Sequence, residues 1–272
     1  MSTNTSSRIS AQFKQKLAEG KKLLIPYITV GDPTPETTVP LMHAMVESGA
    51  DILELGVPFS DPMAEGPVIQ RAMERALQAN ISLTDVLGMV SEFRKTDNST
   101  PIVVMGYLNP IEVMGYSEFA NAAASAGVDG VLTVDIPVEE ADEYIKAFSN
   151  KGLDTIFLVA PTTNEQRIKL ISEAGSGFIY YVSVKGVTGA GHLNTDEVAE
   201  KVEQIKQHAK IPVGVGFGIH DAQSAKQVAT VADAIVVGSA IVKRIEANIG
   251  DSDKITTDVT DFIQSLRNGI DS

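Results

Sequence analysis

Short runs of β-branched and other apolar residues recur along the chain. Each is followed by a turn and then by a longer stretch whose apolar positions fall three and four residues apart. The runs predict strands at Leu23–Thr29, Ile52–Leu55, Ile102–Met105, Gly130–Val134, Thr155–Val159, Phe178–Ser183, Pro212–Val215 and Ala234–Val237. The helical spacing marks, among others, Pro35–Ser48, Ser117–Ala126, Val138–Asn150, Asn164–Ala174, Thr195–His208 and Asp221–Val228. Gly49, Gly127, Gly152 and Gly175 follow several of these as helix stops. The strand runs are apolar nearly throughout, as expected of strands covered on both faces. Eight β–α units in 272 residues predict an α/β fold, a (β/α)8 TIM barrel. A doubly wound sheet would usually show fewer strands and a dinucleotide fingerprint. The segment Ser7–Gly20 reads as an extra N-terminal helix capping the bottom of the barrel, and residues 250–272 as a C-terminal helix or tail. With no composition shift along the chain, residues 1–272 are expected to form a single barrel domain.

Composition narrows the chemistry. The chain carries 22 Lys+Arg against 35 Asp+Glu, a formal net charge of −13, which repels nucleic-acid backbones and anionic lipid heads. An anionic substrate must therefore be held by local donors. There is no cysteine, so disulfides, thiol nucleophiles and thiolate metal sites drop out. His43, His192, His208 and His220 lack metal-ligand spacing, and no metal is expected. Met1–Ser10 is polar, unlike a signal peptide. The longest apolar stretches are far shorter than the ~20 residues of a membrane span. The expected setting is cytoplasmic.

Barrel enzymes work at the carboxyl ends of their strands. Two connections there are unusual: the long Gly56–Pro67 (GVPFSDPMAEGP) after the second strand and the Gly-rich Lys185–Asn194 (KGVTGAGHLN) after the sixth. Glu54 sits near the end of the second strand. Period-two alternation puts it on one face with Ile52 and opposite Leu53 and Leu55, pointing a carboxyl into the mouth. Burial there would raise its pKa toward that of a neutral-pH acid–base, although a structural carboxylate is the bland alternative. Asp61 and Glu65 lie in the long loop, where acids are more often solvated. Gly214–Gly218 after the seventh strand and Gly238–Ser239 after the eighth lead into helices, as phosphate cradles do. Gly189 could supply a third face, or all of these could be plain tight turns. Tyr27, Met105, Tyr107, Leu132, Tyr180 and Phe217 cluster near strand ends and could wall a slot for a flat aromatic ligand, although each alone reads as core. No Walker motif is present, GVGFG is not a dinucleotide fingerprint, and only Lys185 sits where a Schiff base could form.

Seven ordered motifs carry a further signal: IPYITVGDP (Ile25–Pro33), LELGVPFSDPMAEGP (Leu53–Pro67), GYLNPI (Gly106–Ile111), GVDGVLTVDIPVEE (Gly127–Glu140), KGVTGA (Lys185–Ala190), GFGI (Gly216–Ile219) and VVGSAIVK (Val236–Lys243). Through them the chain resembles the tryptophan synthase α chains from about Phe13 to Asn248. That resemblance implies a lyase that cleaves indole-3-glycerol phosphate to indole and glyceraldehyde 3-phosphate for tryptophan biosynthesis. It implies no cofactor in this chain and an α2β2 assembly with a β chain that carries pyridoxal phosphate and condenses the indole with serine. Matched position by position, it implies Glu54 and Glu65 as the catalytic carboxyls. Many members have aspartate at position 65, so the reach of the longer side chain departs from the family pattern. Gly189, Gly218, Gly238 and Ser239 match phosphate contacts. Tyr27, Tyr107, Tyr180 and Phe217 match the indole pocket or its surroundings. Thr188 matches a threonine that closes over the second acid, and Pro58 and Asp61 match β-chain contacts. Val184 replaces an arginine of some members. Two readings stay open: another phosphate-binding barrel aldolase or isomerase, and a non-catalytic partner that activates a β chain.

Overall fold

The structure, a computed structural model, describes residues 7–182, 195–216 and 218–272. In chain order its elements are α1 (Arg8–Ala18), β1 (Leu23–Thr29), α2 (Pro35–Glu47), β2 (Leu53–Gly56), α3 (Pro67–Gln78), α4 (Leu83–Phe93), β3 (Ile102–Gly106), α5 (Leu108–Met114), α6 (Tyr116–Ala126) and β4 (Gly130–Thr133). A short 3-10 turn (Val138–Glu140) leads to α7 (Asp142–Ser149), β5 (Asp154–Ile156), β6 (Leu158–Val159), α8 (Glu165–Ala174), β7 (Ile179–Val182) and α9 (Thr195–Lys206). The chain continues through β8 (Val213–Gly216), α10 (Ala222–Ala229), β9 (Ala234–Val237), α11 (Ser239–Ala247) and α12 (Ser252–Ile270).

All pairings are parallel, in the order β5-β4-β3-β2-β1-β9-β8-β7-β6. β5 and β6 are two halves of one strand on either side of Phe157. β5 pairs with β4, β6 pairs with β7, and the Phe157 carbonyl accepts from the Tyr180 N–H at 3.1 Å. The sheet thereby closes into the expected (β/α)8 barrel. Parallel strands joined by helices bury both of their faces, and two cores result. The outer one packs Leu53, Leu55, Val104 and Val131 against the helices. The inner one stacks Leu23, Ile25, Ile52, Val103, Leu132, Ile156, Phe178, Ala234 and Val236 inside the barrel.

The bottom of the barrel is closed as the sequence led us to expect. Ile9 and Phe13 of α1 enter the inner core, with Phe13 5.7 Å from the Phe178 ring centroid. The tail is a helix. α12 buries Ile255, Val259, Phe262, Ile263 and Leu266 and packs against α10, α2 and α11. α3, α4 and α5 were not among the stretches marked by spacing. α3 buries Ile69, Ala72, Met73 and Ala76 at helical spacing, a stripe the sequence reading passed over because two of the four are alanines, and α5 buries only Ile111. Gly49 and Gly127 follow their helices with positive φ (111° and 90°), whereas Gly175 ends α8 in an extended conformation.

Buried and half-buried carboxylates tie the lower rim together. Asp51, just before β2, accepts from the Leu24 N–H of β1 at 2.8 Å and pairs with Lys16 and Arg267. Asp129, before β4, accepts from the Ile102 N–H of β3 at 2.8 Å and pairs with Arg94 and Arg8. Asp233, before β9, repeats the device on Val213 of β8 with Lys206. In each case a carboxylate satisfies the first free N–H of the neighbouring strand, and a basic side chain neutralises it. α1 is held by the same groups through Arg8 and Lys16, and its Ser7 hydroxyl donates to Asp154.

Breaking a buried pair leaves the partner charge uncompensated. Asp129→Ala strands the buried Arg94 guanidinium and is expected to cost about 3–5 kcal/mol of unfolding free energy in urea titrations. Glu165→Ala, which removes the exposed pair with Lys169, is expected to cost under about 1 kcal/mol.

Candidate active site

The carboxyl ends of the strands bring most of the residues singled out above to one mouth. Glu54 lies in register between Tyr27 of β1 and Val103 of β3. Its side chain shares the inner face with Ile52, while Leu53 and Leu55 point to the outer core. The residue is 1% exposed. Among the described residues, Glu54 Oε1 is the buried side-chain oxygen or nitrogen without a hydrogen-bond partner. Burial, helped by the charge of Glu65, pushes its carboxyl up to about 8. Glu65 ends the loop before α3 and is 7% exposed. Burial raises it to about 7. The loop acid that spacing alone would leave solvated is therefore a buried group facing the strand acid.

Phenols surround the pair. The Tyr27 hydroxyl bonds to the Thr29 hydroxyl at 3.1 Å and lies so close over Gly56 that any Cβ there would collide with it. Tyr180 lies over Gly216 in the same way. Bare backbone at these two positions lets large rings approach this closely at the barrel top. Burial holds the Tyr27 and Tyr180 hydroxyls well above their usual range, with the charges of Glu65 and Glu54 adding to it, so both stay neutral. Tyr107 stacks on Phe59 with centroids 4.8 Å apart, and its hydroxyl accepts from the Ala64 N–H at 3.0 Å. Tyr27, Tyr107, Ile69, Met73 and Val242 form one apolar cluster above the inner core, with Met105 and Val134 against it. Leu132 packs one layer lower, in the inner core.

Gly238 and Ser239 follow β9, with Gly238 the N-cap of α11 and no side chain capping that helix. Main-chain N–H groups at such a helix start, together with the helix dipole, favour an anion. Gly218 has φ +81°, and its carbonyl lies 2.8 Å from His220 Nδ1. Asp61 is exposed, its Oδ2 accepting from the Ser60 hydroxyl at 2.6 Å, while Pro58 is buried within the chain. Val184, Lys185, Thr188, Gly189, His192 and Phe217 lie outside the described residues. Two contributors escape a reading by residue type. Thr29 pairs with Tyr27, and Gln70 of α3 donates from Nε2 to the Glu65 carbonyl at 2.8 Å. Among the described residues no group of three His, Asp or Glu side chains could hold a metal ion, and no helix is long and apolar enough to cross a membrane.

Known proteins share this architecture and sequence. A family model described as the tryptophan synthase alpha chain matches residues 13–271. The tryptophan synthase alpha chain of Nitrosococcus oceani is 58% identical over 266 residues, 98% of each chain. That of Thioalkalivibrio sulfidiphilus is 58% identical over 265 residues, 97% of this chain and all of the relative. The crystal structure of tryptophan synthase subunit alpha from Legionella pneumophila superposes with a TM-score of 0.90 at 47% identity, covering 97% of this chain and 98% of that one. A structure of Mycobacterium tuberculosis tryptophan synthase gives a TM-score of 0.88 at 36% identity, with 97% and 98% covered. With the family model spanning nearly its whole length and relatives above half identity over the same span, the chain belongs to the tryptophan synthase alpha chain family.

Proposed function

We propose that the barrel mouth cleaves indole-3-glycerol phosphate by a retro-aldol reaction, with Glu54 and Glu65 as its catalytic carboxyls. The single observation that carries this reading is the Glu54 carboxyl, buried in the mouth beside Glu65 with one oxygen unpartnered. A carboxyl raised to about 8 is protonated at neutral pH and can deliver that proton to C3 of the indole ring. As positive charge develops at N1, the ionised Glu65 accepts the N1–H and stabilises it. The Glu54 carboxylate then takes the proton of the glycerol hydroxyl. The bond between C3 and the glycerol carbon breaks, its electron pair restores the aromatic ring, and the hydroxyl carbon becomes the aldehyde of glyceraldehyde 3-phosphate. Glu54 ends protonated, as it began.

The remaining roles are those that the family resemblance gives these positions. Gly238 and Ser239, with Gly218 and Gly189, hold the phosphate by main-chain donors. This is how a chain of net charge −13 can bind an anion without a lysine cluster. Tyr27, Tyr107, Tyr180 and Phe217 wall the indole, and Thr188 closes over Glu65. The released indole passes to a β chain in an α2β2 assembly, where the partner's pyridoxal phosphate condenses it with serine, in the cytoplasm. Asp61, exposed on the same rim, contacts that partner, and buried Pro58 shapes the loop that presents it.

The direct test incubates the purified chain with indole-3-glycerol phosphate, with and without a β chain, and follows indole. Release of indole and triose phosphate is expected, and isomerisation of a sugar phosphate without indole would overturn the reading. Glu54→Gln is expected to lower turnover by at least ~10²-fold. The same variant should melt higher than the parent at pH 8. The folded carboxyl titrates near 8 against 4.5 for an unperturbed one, so the parent loses stability as pH rises across that interval. The gain should vanish toward pH 4.5, and equal melting at both pH values would contradict the burial argument. kcat/KM of the isolated chain should be bell-shaped, falling below about 7 as Glu65 takes a proton and above about 8 as Glu54 loses one, with both limbs belonging to the coupled pair. A flat profile from pH 6 to 9 would refute the assignment. Asp61→Asn should leave the isolated chain's turnover intact and weaken activation by the β chain. Equal losses with and without that partner would show otherwise.

A further inference from the structure

The Glu65 carboxyl can act only if it points into the mouth, yet it ends a long loop. Among the described residues, burial is the cause that shifts it and no cationic group contributes. The titratable groups that sense its charge are Glu54 on β2, Tyr27 on β1, Tyr180 on β7 and Tyr107 between β3 and α5, all carboxyl or phenol. Its direction is therefore set by the main chain. The backbone has two soft dihedrals per residue, and each is fixed once the peptide plane on that side is fixed. The plane before Glu65 is held by its N–H donating to the Pro62 carbonyl at 3.0 Å, one residue beyond the Ala64 N–H that donates to the Tyr107 hydroxyl at 3.0 Å. The plane after Glu65 is held by Gln70 Nε2 donating to the Glu65 carbonyl at 2.8 Å.

α3 has no need of this last bond. The start of a helix has spare N–H donors, not spare carbonyls, and the Gln70 main-chain N–H already closes its helical bond to the Gly66 carbonyl at 3.0 Å. The side chain reaches back past the N-cap Gly66 to a residue outside the helix. Resting on the role assigned to Glu65 above, we propose that Gln70 is a positioning residue for the reaction: its amide fixes the peptide after Glu65 and so directs the Glu65 carboxyl into the barrel mouth.

Gln70→Met keeps the length of the side chain and removes its donor. In indole-release assays of the isolated chain, kcat should fall about tenfold with KM within about twofold, because misplacing a reacting group affects the chemical step. The acidic limb of the pH profile should move at least ~1 unit lower, since a loosened carboxyl hydrates and returns toward its ordinary value. Gln70→Leu, which also removes the donor without adding a charge, is read the same way should the methionine variant not fold. A parental kcat and limb in a folded variant overturn the proposal. A lower kcat with the limb in place makes Gln70 merely structural and also overturns it. Glu65→Ala separates the two levels of the argument. Parental turnover in that variant removes Glu65 from the reaction and the proposal with it, whereas lost turnover alongside a silent Gln70→Met removes the proposal alone.

Discussion

A carboxyl oxygen held without a hydrogen-bond partner inside an apolar barrel is the constraint around which this molecule is arranged. Taking a carboxylate out of water disfavours its charge, so the group either finds a partner or holds its proton. Glu54 has Ile52 beneath it on its own strand, the phenols of Tyr27 and Tyr180 near it, and Glu65 as the one charge among the described residues acting to shift it. Its surroundings favour the neutral form. The same isolation that destabilises the ionised state makes a neutral-pH proton donor, so a cost to folding and a capacity for catalysis have one physical origin.

The lower rim shows the opposite treatment of the same functional group. Asp51 and Asp129 are about as deeply buried as the acids of the mouth, yet each accepts a strand N–H and faces two basic side chains. The barrel thus keeps satisfied carboxylates where strands begin, and at the end of β2 a carboxyl with one oxygen unpartnered. Closure of the barrel makes this tolerable. With β5 and β6 joining the two ends of the sheet, the lower half, plugged by α1, supports a mouth in which one carboxyl oxygen is left unpartnered.

Much of this was legible along the chain, and for identifiable reasons. Strands buried on both faces need apolar runs, and all eight runs correspond to strand positions in the barrel. Period two alone determined that Glu54 shares a face with Ile52. The plug helix was visible as a helical segment before the first strand, and residues 250–272 were read as a C-terminal helix or tail. Glu65 was less legible, because an acid in a proline-rich loop has no local feature that separates burial from solvation. The role of Asp129 in its rim pair was not legible at all, since an aspartate before a strand looks like any turn residue until Ile102 and Arg94 are brought to it.

The sequence by itself determined the repeating β–α pattern, the direction of Glu54 and, through ordered motifs, the family. These depend on the periodicity of the chain and on short contiguous strings, which are local. The tertiary structure alone decided that Glu65 is buried beside Glu54, that the Tyr27 and Tyr180 rings lie over bare backbone at Gly56 and Gly216, and that Gln70 reaches the Glu65 carbonyl. Each of these is a relation between groups on different elements or across a loop. Burial, electrostatic shifts and side-chain to main-chain bonds arise only when folding places those groups within a few ångströms of one another.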